Sequence, residues 1–170
     1  MKWSGRSALT CFVLVLSLAL TGCPSKKKGI EDVPGGGLGE GQVGGGSLER
    51  FREGMEPGAG GPLQDVQFDY DRYDLNEEAR AILQKNAQWL QSNPAARVEV
   101  EGHCDERGTV EYNLALGAKR AKAARDYLAS LGVAESRLST ISYGEELPLC
   151  READEGCWGR NRRAHFVVLQ

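Results

Sequence analysis

The sequence is short of positive charge: 21 Lys and Arg stand against 24 Asp and Glu, for a formal net charge of −3 and a pI near 5.5. Nothing in that balance draws the chain to nucleic acid by bulk electrostatics, so a polyanion is not its expected partner. It also lacks a long hydrophobic run. The longest, residues 8–20, is broken by Thr10 and Ser17. At about 1.5 Å per helical residue it covers roughly 20 Å, short of the roughly 30 Å hydrocarbon core that a permanent span must cross. Only two histidines are present, and no Cys-x-x-Cys or His-x-x-x-His spacing. His103, Cys104, Asp105 and His165 are ligand types, but three consecutive residues do not readily converge on one ion, which argues against a metal site. There is no internal repeat. With 170 residues, 41% of them hydrophobic, one ordinary domain plus extra segments is expected.

The beginning of the chain reads as an export signal, with Lys2 and Arg6 ahead of the apolar run. Leu20-Thr21-Gly22-Cys23 then resembles the lipobox of bacterial lipoproteins. The resemblance implies a signal peptide over residues 1–22 and a mature chain that begins at an acylated Cys23; an ordinary secretory signal with a chance cysteine is the other reading. Pro24 follows where an Asp would retain many lipoproteins at the inner membrane, so the resemblance favours the outer membrane. Each buried methylene contributes about 0.8 kcal/mol, enough for a multiply acylated cysteine to hold the chain on a bilayer without a spanning helix.

Thirteen of the 22 glycines then fall between Gly29 and Gly61. Such a stretch cannot bury enough apolar surface to offset its backbone entropy, so residues 23–63 are expected to form a flexible tether with an r.m.s. reach of roughly 35 Å. Lys26, Lys27 and Lys28 read as a solvated start to the mature chain rather than a headgroup contact. Residues 47–55, SLERFREGM, read as disorder, with a helical turn or docking segment as the alternative.

The folded domain is expected over residues 64–170. Val66, Phe68 and Tyr70 alternate with polar residues and predict a strand over 65–70. Asp74-Leu75-Asn76-Glu77 predicts a capping box for a helix running to about Ser92, with Ala79, Ile82, Leu83, Ala87 and Leu90 as its apolar stripe; Asn93-Pro94 ends it. Residues 97–103 predict a second strand. A second helix is expected from Val110 to about Leu131, with Leu114, Ala118, Ala121, Arg125 and Leu128 inward and Gly132 as its stop. Strands over 138–143 and 164–169 complete a single sheet with helices on one face.

Of five cysteines, three remain once Cys11 leaves with the signal and Cys23 is acylated. In an oxidising envelope compartment two should pair, and Cys150 with Cys157 is the economical choice, contributing at most about 3 kcal/mol for so short a loop. Cys104 is left single. As a nucleophile it would need a base, and the adjacent His103 points to the other side of an extended backbone, so a small buried side chain is the better reading.

The most informative stretch is 101–121, EGHCDERGTVEYNLALGAKRA, where a strand turns through a loop holding Gly102 and Gly108 into a helix. Asn113, Leu116 and Arg120 are spaced so that one helix face presents all three toward that loop. A carboxylate at Asp105 and a guanidinium at Arg120 suit a ligand carrying both an ammonium and a carboxylate; the other reading is a salt bridge between the two. FDYDRYDL, VEVEGHCDERGTVEYNLALGAKRA, ISYGEELP and GRNRRA, in this order, resemble the OmpA-like C-terminal domain family, and within it the peptidoglycan-associated lipoproteins of Gram-negative bacteria.

That resemblance implies an α+β fold, a two-layer αβ sandwich of βαβαββ order with a mixed four-stranded sheet. It implies noncovalent binding of peptidoglycan through the diaminopimelate of its stem peptide, with no cofactor and no enzymatic step. Asp105 would take the ammonium and Arg120 the carboxylate. Thr109 and Leu116 match pocket positions. Tyr70, Asp71 and Tyr73 match a first loop whose backbone amides help hold the ligand carboxylate, and His103 and Asn113 match loop-shaping positions. Asn161-Arg162-Arg163 matches a family signature, read as a structural clamp on nearby carboxylates. The implied partners are peptidoglycan, outer-membrane lipid through Cys23, and the periplasmic β-propeller protein of the Tol system. Cys104 departs from the Thr or Ala of many relatives, and the 150–157 loop is absent from some. A wall-acting enzyme using Asp105 with His103 or Cys104, and a scaffold lipoprotein that binds only protein, are the rival expectations. A flagellar-stator member is disfavoured by the lipobox.

Overall fold

The computed structural model describes residues 61–169 together with Ser47, Arg52 and Gly54. The signal segment, Cys23, the three lysines and most of the Gly-rich stretch lie outside the described residues. The elements are β1 (Val66–Gln67), α1 (Glu77–Ser92), β2 (Arg97–His103), α2 (Val110–Ser130), a 3-10 turn (Glu135–Arg137), β3 (Leu138–Gly144), α3 (Glu155–Asn161) and β4 (Arg163–Leu169). They form a four-stranded sheet in the order β1-β4-β2-β3. β2 runs parallel to β3 and antiparallel to β4, giving the mixed α+β arrangement expected. Val98, Val100, Ala164 and Phe166 face Leu83 and Leu90 of α1 and Ala121, Ala124 and Leu128 of α2 across the core. Among the described residues no helix is long and apolar enough to cross a membrane.

Four expectations change. The first strand shrinks to two residues, because after Gln67 the chain leaves the ladder: the Phe68 amide still donates to Arg162 O at 2.9 Å, but Asp71 turns with φ 55°. Asn76, not Asp74, caps α1, accepting from the Ala79 amide at 2.8 Å; Asp74 is drawn to Arg72 at 3.3 Å. The segment between β3 and β4 is not all loop, since Asp154 caps the short helix α3 by accepting from the Cys157 amide at 2.9 Å. The inward stripe of α2 is Asn113, Leu116, Gly117, Arg120, Ala121, Ala124 and Leu128, with Ala118 exposed. Apolar spacing misplaced it because the helix buries polar side chains at the site end.

On the sheet face opposite the helices, Glu101, His103, Arg163 and His165 are all buried. The amide of Ser47, itself buried, donates to Glu101 Oε1 at 2.7 Å, the contact a docking segment would make. Burial would push Glu101 up, but His103 and the Ser47 amide outweigh it and hold the carboxyl below its usual range. Burial pushes His103 down to about 4, against the pull of Glu101 and with help from the Arg163 and His165 charges. The unfolded histidine titrates near 6.5. Between those values the unfolded chain binds the extra proton, so this stability is complete above 6.5 and is lost as pH falls through the window. Thermal unfolding should show a loss of about 2 kcal/mol between pH 7 and pH 5, flattened in His103→Gln. A variant that kept the wild-type slope would place the proton uptake elsewhere.

Candidate functional site

The corner after β2 is built by its own side chains. The Cys104 amide still donates to Gly144 O at 2.7 Å, although the β2–β3 register has shifted between Gly102 and His103. Asp105 Oδ1 then accepts the Arg107 amide at 3.1 Å, Gly108 takes a left-handed φ of 128°, and Thr109 caps α2 by accepting from the Tyr112 amide at 3.2 Å. Asn113 fastens the loop from the helix, donating to Asp105 O at 3.2 Å, Arg107 O at 3.3 Å and Glu145 Oε2 at 2.5 Å.

Asp105 and Arg120 do not pair with each other. Asp105 is 3% exposed and accepts from Arg107 through Nε at 3.2 Å and Nη2 at 2.7 Å, and from Arg162 Nη1 at 3.1 Å. Burial alone would raise its carboxyl, but the Arg107 and Arg162 hydrogen bonds outweigh that and hold it below the usual carboxylate range. Arg120, 0% exposed, instead braces backbone: Nε donates to Arg72 O at 2.8 Å, Nη1 to His103 O at 2.8 Å and Nη2 to Asp69 O at 3.1 Å. Nη1 also reaches Cys104 Sγ at 3.4 Å. Among the described residues no carboxylate lies within ion-pair distance of it. Of its five N–H groups one is left uncommitted.

Tyr70, Asp71, Asp105, Asn113, Leu116 and Arg120 come together around one cleft, joined by Cys104, Arg107, Tyr112 and Arg162. The cavity volume is about 20 Å³, room for about one water. Thr109 and Tyr73 lie outside it, the first capping α2 and the second under Lys119 Nζ at 5.5 Å. His103 projects to the far face of the sheet, its ring 5.6 Å from that of Tyr143. Burial pushes the Cys104 thiol up to about 11, and its Sγ donates to Asn113 O at 3.3 Å, leaving it protonated and unactivated.

Sequence reasoning missed three participants, Tyr112, Arg107 and Trp158, and did not say which carboxylates a fourth, Arg162, would hold. Tyr112 donates from its hydroxyl to Asp71, tying α2 to the first loop. Arg162 is a clamp on carboxylates, as expected, but one of them is Asp105 and the other Glu155 at 2.5 Å. Arg107 lies between two rings, 4.0 Å from the centre of Tyr70 and 4.2 Å from that of Trp158. Its place two residues after Asp105 was a readable signal, since Asp side chains bond the backbone two residues on. Trp158 had none: it comes from α3, which the Cys150–Cys157 disulfide ties down with a Cα separation of 5.7 Å.

Residues 67–162 match the OmpA family. The chain is 47% identical over 155 residues to a peptidoglycan-associated lipoprotein of Rhizobium meliloti, covering 91% of this chain and 84% of that one. It is 45% identical over 156 residues to one of Agrobacterium fabrum, covering 91% and 84%. Among solved structures, the peptidoglycan-associated lipoprotein from Burkholderia pseudomallei superposes with a TM-score of 0.60 at 45% identity, over 62% of this chain and 89% of that one. The C-terminal domain of Helicobacter pylori MotB also reaches 0.60, over 64% and 85%, but at 20% identity it speaks to the fold alone. A family match across more than half of the chain, with relatives this similar over most of their length, makes the chain a member of the OmpA family, on the branch of its peptidoglycan-associated lipoproteins.

Proposed function

We propose that this outer-membrane lipoprotein grips peptidoglycan through the diaminopimelate of the stem peptide and so tethers the membrane to the wall without catalysing a reaction. Asp105 receives the ammonium and Arg120 the carboxylate, with Tyr70 and Asp71 of the first loop and Leu116 of α2 closing the pocket and Thr109 and Tyr73 at its approaches. The observation that carries this reading is Arg120: its fully buried guanidinium is hydrogen-bonded to carbonyls and a thiol and, among the described residues, has no carboxylate partner at the cleft. Burial at low dielectric strengthens its pull on an incoming anion. A carboxylate a few side chains away supplies the opposite seat, and diaminopimelate has an amino-acid end that presents both charges. Acylated Cys23 would hold the other end of the chain in the outer membrane, and exchange between the wall and the Tol β-propeller protein would use the Gly-rich leash.

The test is retention on purified sacculi. Asp105→Asn keeps the shape of the side chain but removes the charge, and retention should fall about 10- to 100-fold, the usual contribution of a charge-assisted hydrogen bond. Undiminished retention by a variant with the wild-type circular dichroism spectrum would remove Asp105 from the site.

A further inference from the structure

The seat assigned to the ligand ammonium is already taken. Both oxygens of Asp105 are filled by arginine donors, and Arg107 supplies the Nε and Nη2 contacts, at 3.2 and 2.7 Å. Its side chain reaches there by passing between the rings of Tyr70 and Trp158, and the cleft it lines has the volume of about one water. Arg162 is the lesser obstacle, because it is buried and also held by Phe68 O at 3.0 Å and by Glu155. Arg107 is different: it stands on the loop, is 29% exposed, and its second anionic contact, with Glu155, is 3.6 Å long.

We propose that Arg107 is a resident cation, and that binding is an exchange in which the ligand ammonium displaces its guanidinium from Asp105 and from the Tyr70–Trp158 slot. The inference rests on the diaminopimelate reading above. Charge at Asp105 is conserved through the exchange, so the pocket never holds an unpaired buried carboxylate, whose desolvation would be costly. The displaced guanidinium moves toward solvent, where hydration and Glu155 receive it. Arg107 thereby sets the affinity: a ligand without an ammonium gains nothing by opening the slot, and one with it must outcompete a neighbouring arginine. The stacking also makes Trp158 a reporter of the exchange, since its indole loses a cation 4.2 Å away when Arg107 leaves.

The experiment uses the full chain carrying Trp3→Phe and Trp89→Phe, so that Trp158 is its one tryptophan. It is titrated with the tripeptide L-Ala-γ-D-Glu-meso-diaminopimelate and with the same tripeptide acetylated on the side-chain amine, following Trp158 emission and calorimetric heat. The free-amine peptide is expected to change the emission with the calorimetric midpoint, and the acetylated peptide to leave it unchanged. In Arg107→Gln the free-amine peptide should bind about 10-fold more tightly with the emission response lost. Equal or weaker binding by Arg107→Gln, with the parent chain still binding, would overturn the resident cation and leave the diaminopimelate reading standing. Absence of binding by the parent chain would overturn both.

Discussion

Arg120→Lys is expected to lose about 100-fold in retention on sacculi while keeping its positive charge. The guanidinium spans two loops, donating to Asp69 and Arg72 on one side and to His103 on the other, with Cys104 Sγ as a fourth acceptor. A planar fork can serve these acceptors and still turn its remaining N–H to a ligand carboxylate. Lysine concentrates three donors at one point on a stem that cannot span the gap. The first loop, which carries Tyr70 and Asp71, then keeps only the Tyr112 hydroxyl bond and the Lys119–Tyr73 ring contact to α2 among the described residues. Arg120→Ala should go further and destabilise the domain by about 3–5 kcal/mol, since it strands three carbonyls and opens a cavity. Burial already depresses the Arg120 pKa, so losing these acceptors' partner is not a surface effect. Urea unfolding measures the stability loss, and the sacculus assay is read only on Lys variants that unfold cooperatively. Full retention by folded Arg120→Lys would place the anion seat elsewhere.

Gly102→Ala should cost at least about 3 kcal/mol and lower the melting temperature by about 15 °C or more. A Cβ built there would sit 1.8 Å from Gly117 O and 2.5 Å from its carbonyl carbon. Both groups are backbone, so no rotamer change relieves the clash and α2 must move off β2. The reciprocal contact is less severe but still closed: a Cβ on Gly117 would meet Ser142 Oγ at 2.3 Å and Gly102 O at 2.8 Å. Backbone-to-backbone approach at this crossing is what sets Asn113 and Arg120 at the end of β2, one turn to either side of Gly117. The substitution is therefore expected to weaken wall binding even in the fraction that remains folded. Scanning calorimetry gives the first quantity, and a melting temperature within a few degrees of wild type would show that the helix has room to spare. Gly61→Ala, whose Cβ would come no closer than 3.9 Å to Phe166 O, is the matched control.

The elements most legible in the sequence were those whose side chains alternate or repeat with one period. β2 runs from Arg97 to His103 as the alternation of valine and glutamate predicts, and α1 ends at Asn93-Pro94. Gly132, with φ 93°, stands just past α2 where a left-handed residue stops a helix. Legibility failed where a partner distant in sequence decides the local structure. Phe68 is held by Arg162, 94 residues away, and the strand reading over 65–70 overran because no local signal announces that contact. The inward stripe of α2 was misplaced for a related reason: Asn113 and Arg120 are polar by type and buried by role.

The sequence by itself determined which groups are available: a carboxylate on a two-glycine corner, a guanidinium fifteen residues further on, a pair of cysteines close enough to join, and a family signature that runs through all of them. It also determined their order along a strand-loop-helix unit, because period and capping are local properties. Only the tertiary structure decided who holds whom. Asp105 and Arg120 could have paired, yet the close crossing of α2 over β2 turns Arg120 to the carbonyls of the first loop, while α3 brings Trp158 against Arg107 and the junction of α3 with β4 brings Arg162 to Asp105. Those contacts join residues more than forty apart in the chain, and hydrogen bonding at low dielectric depends on distance and burial, which no run of neighbouring letters encodes.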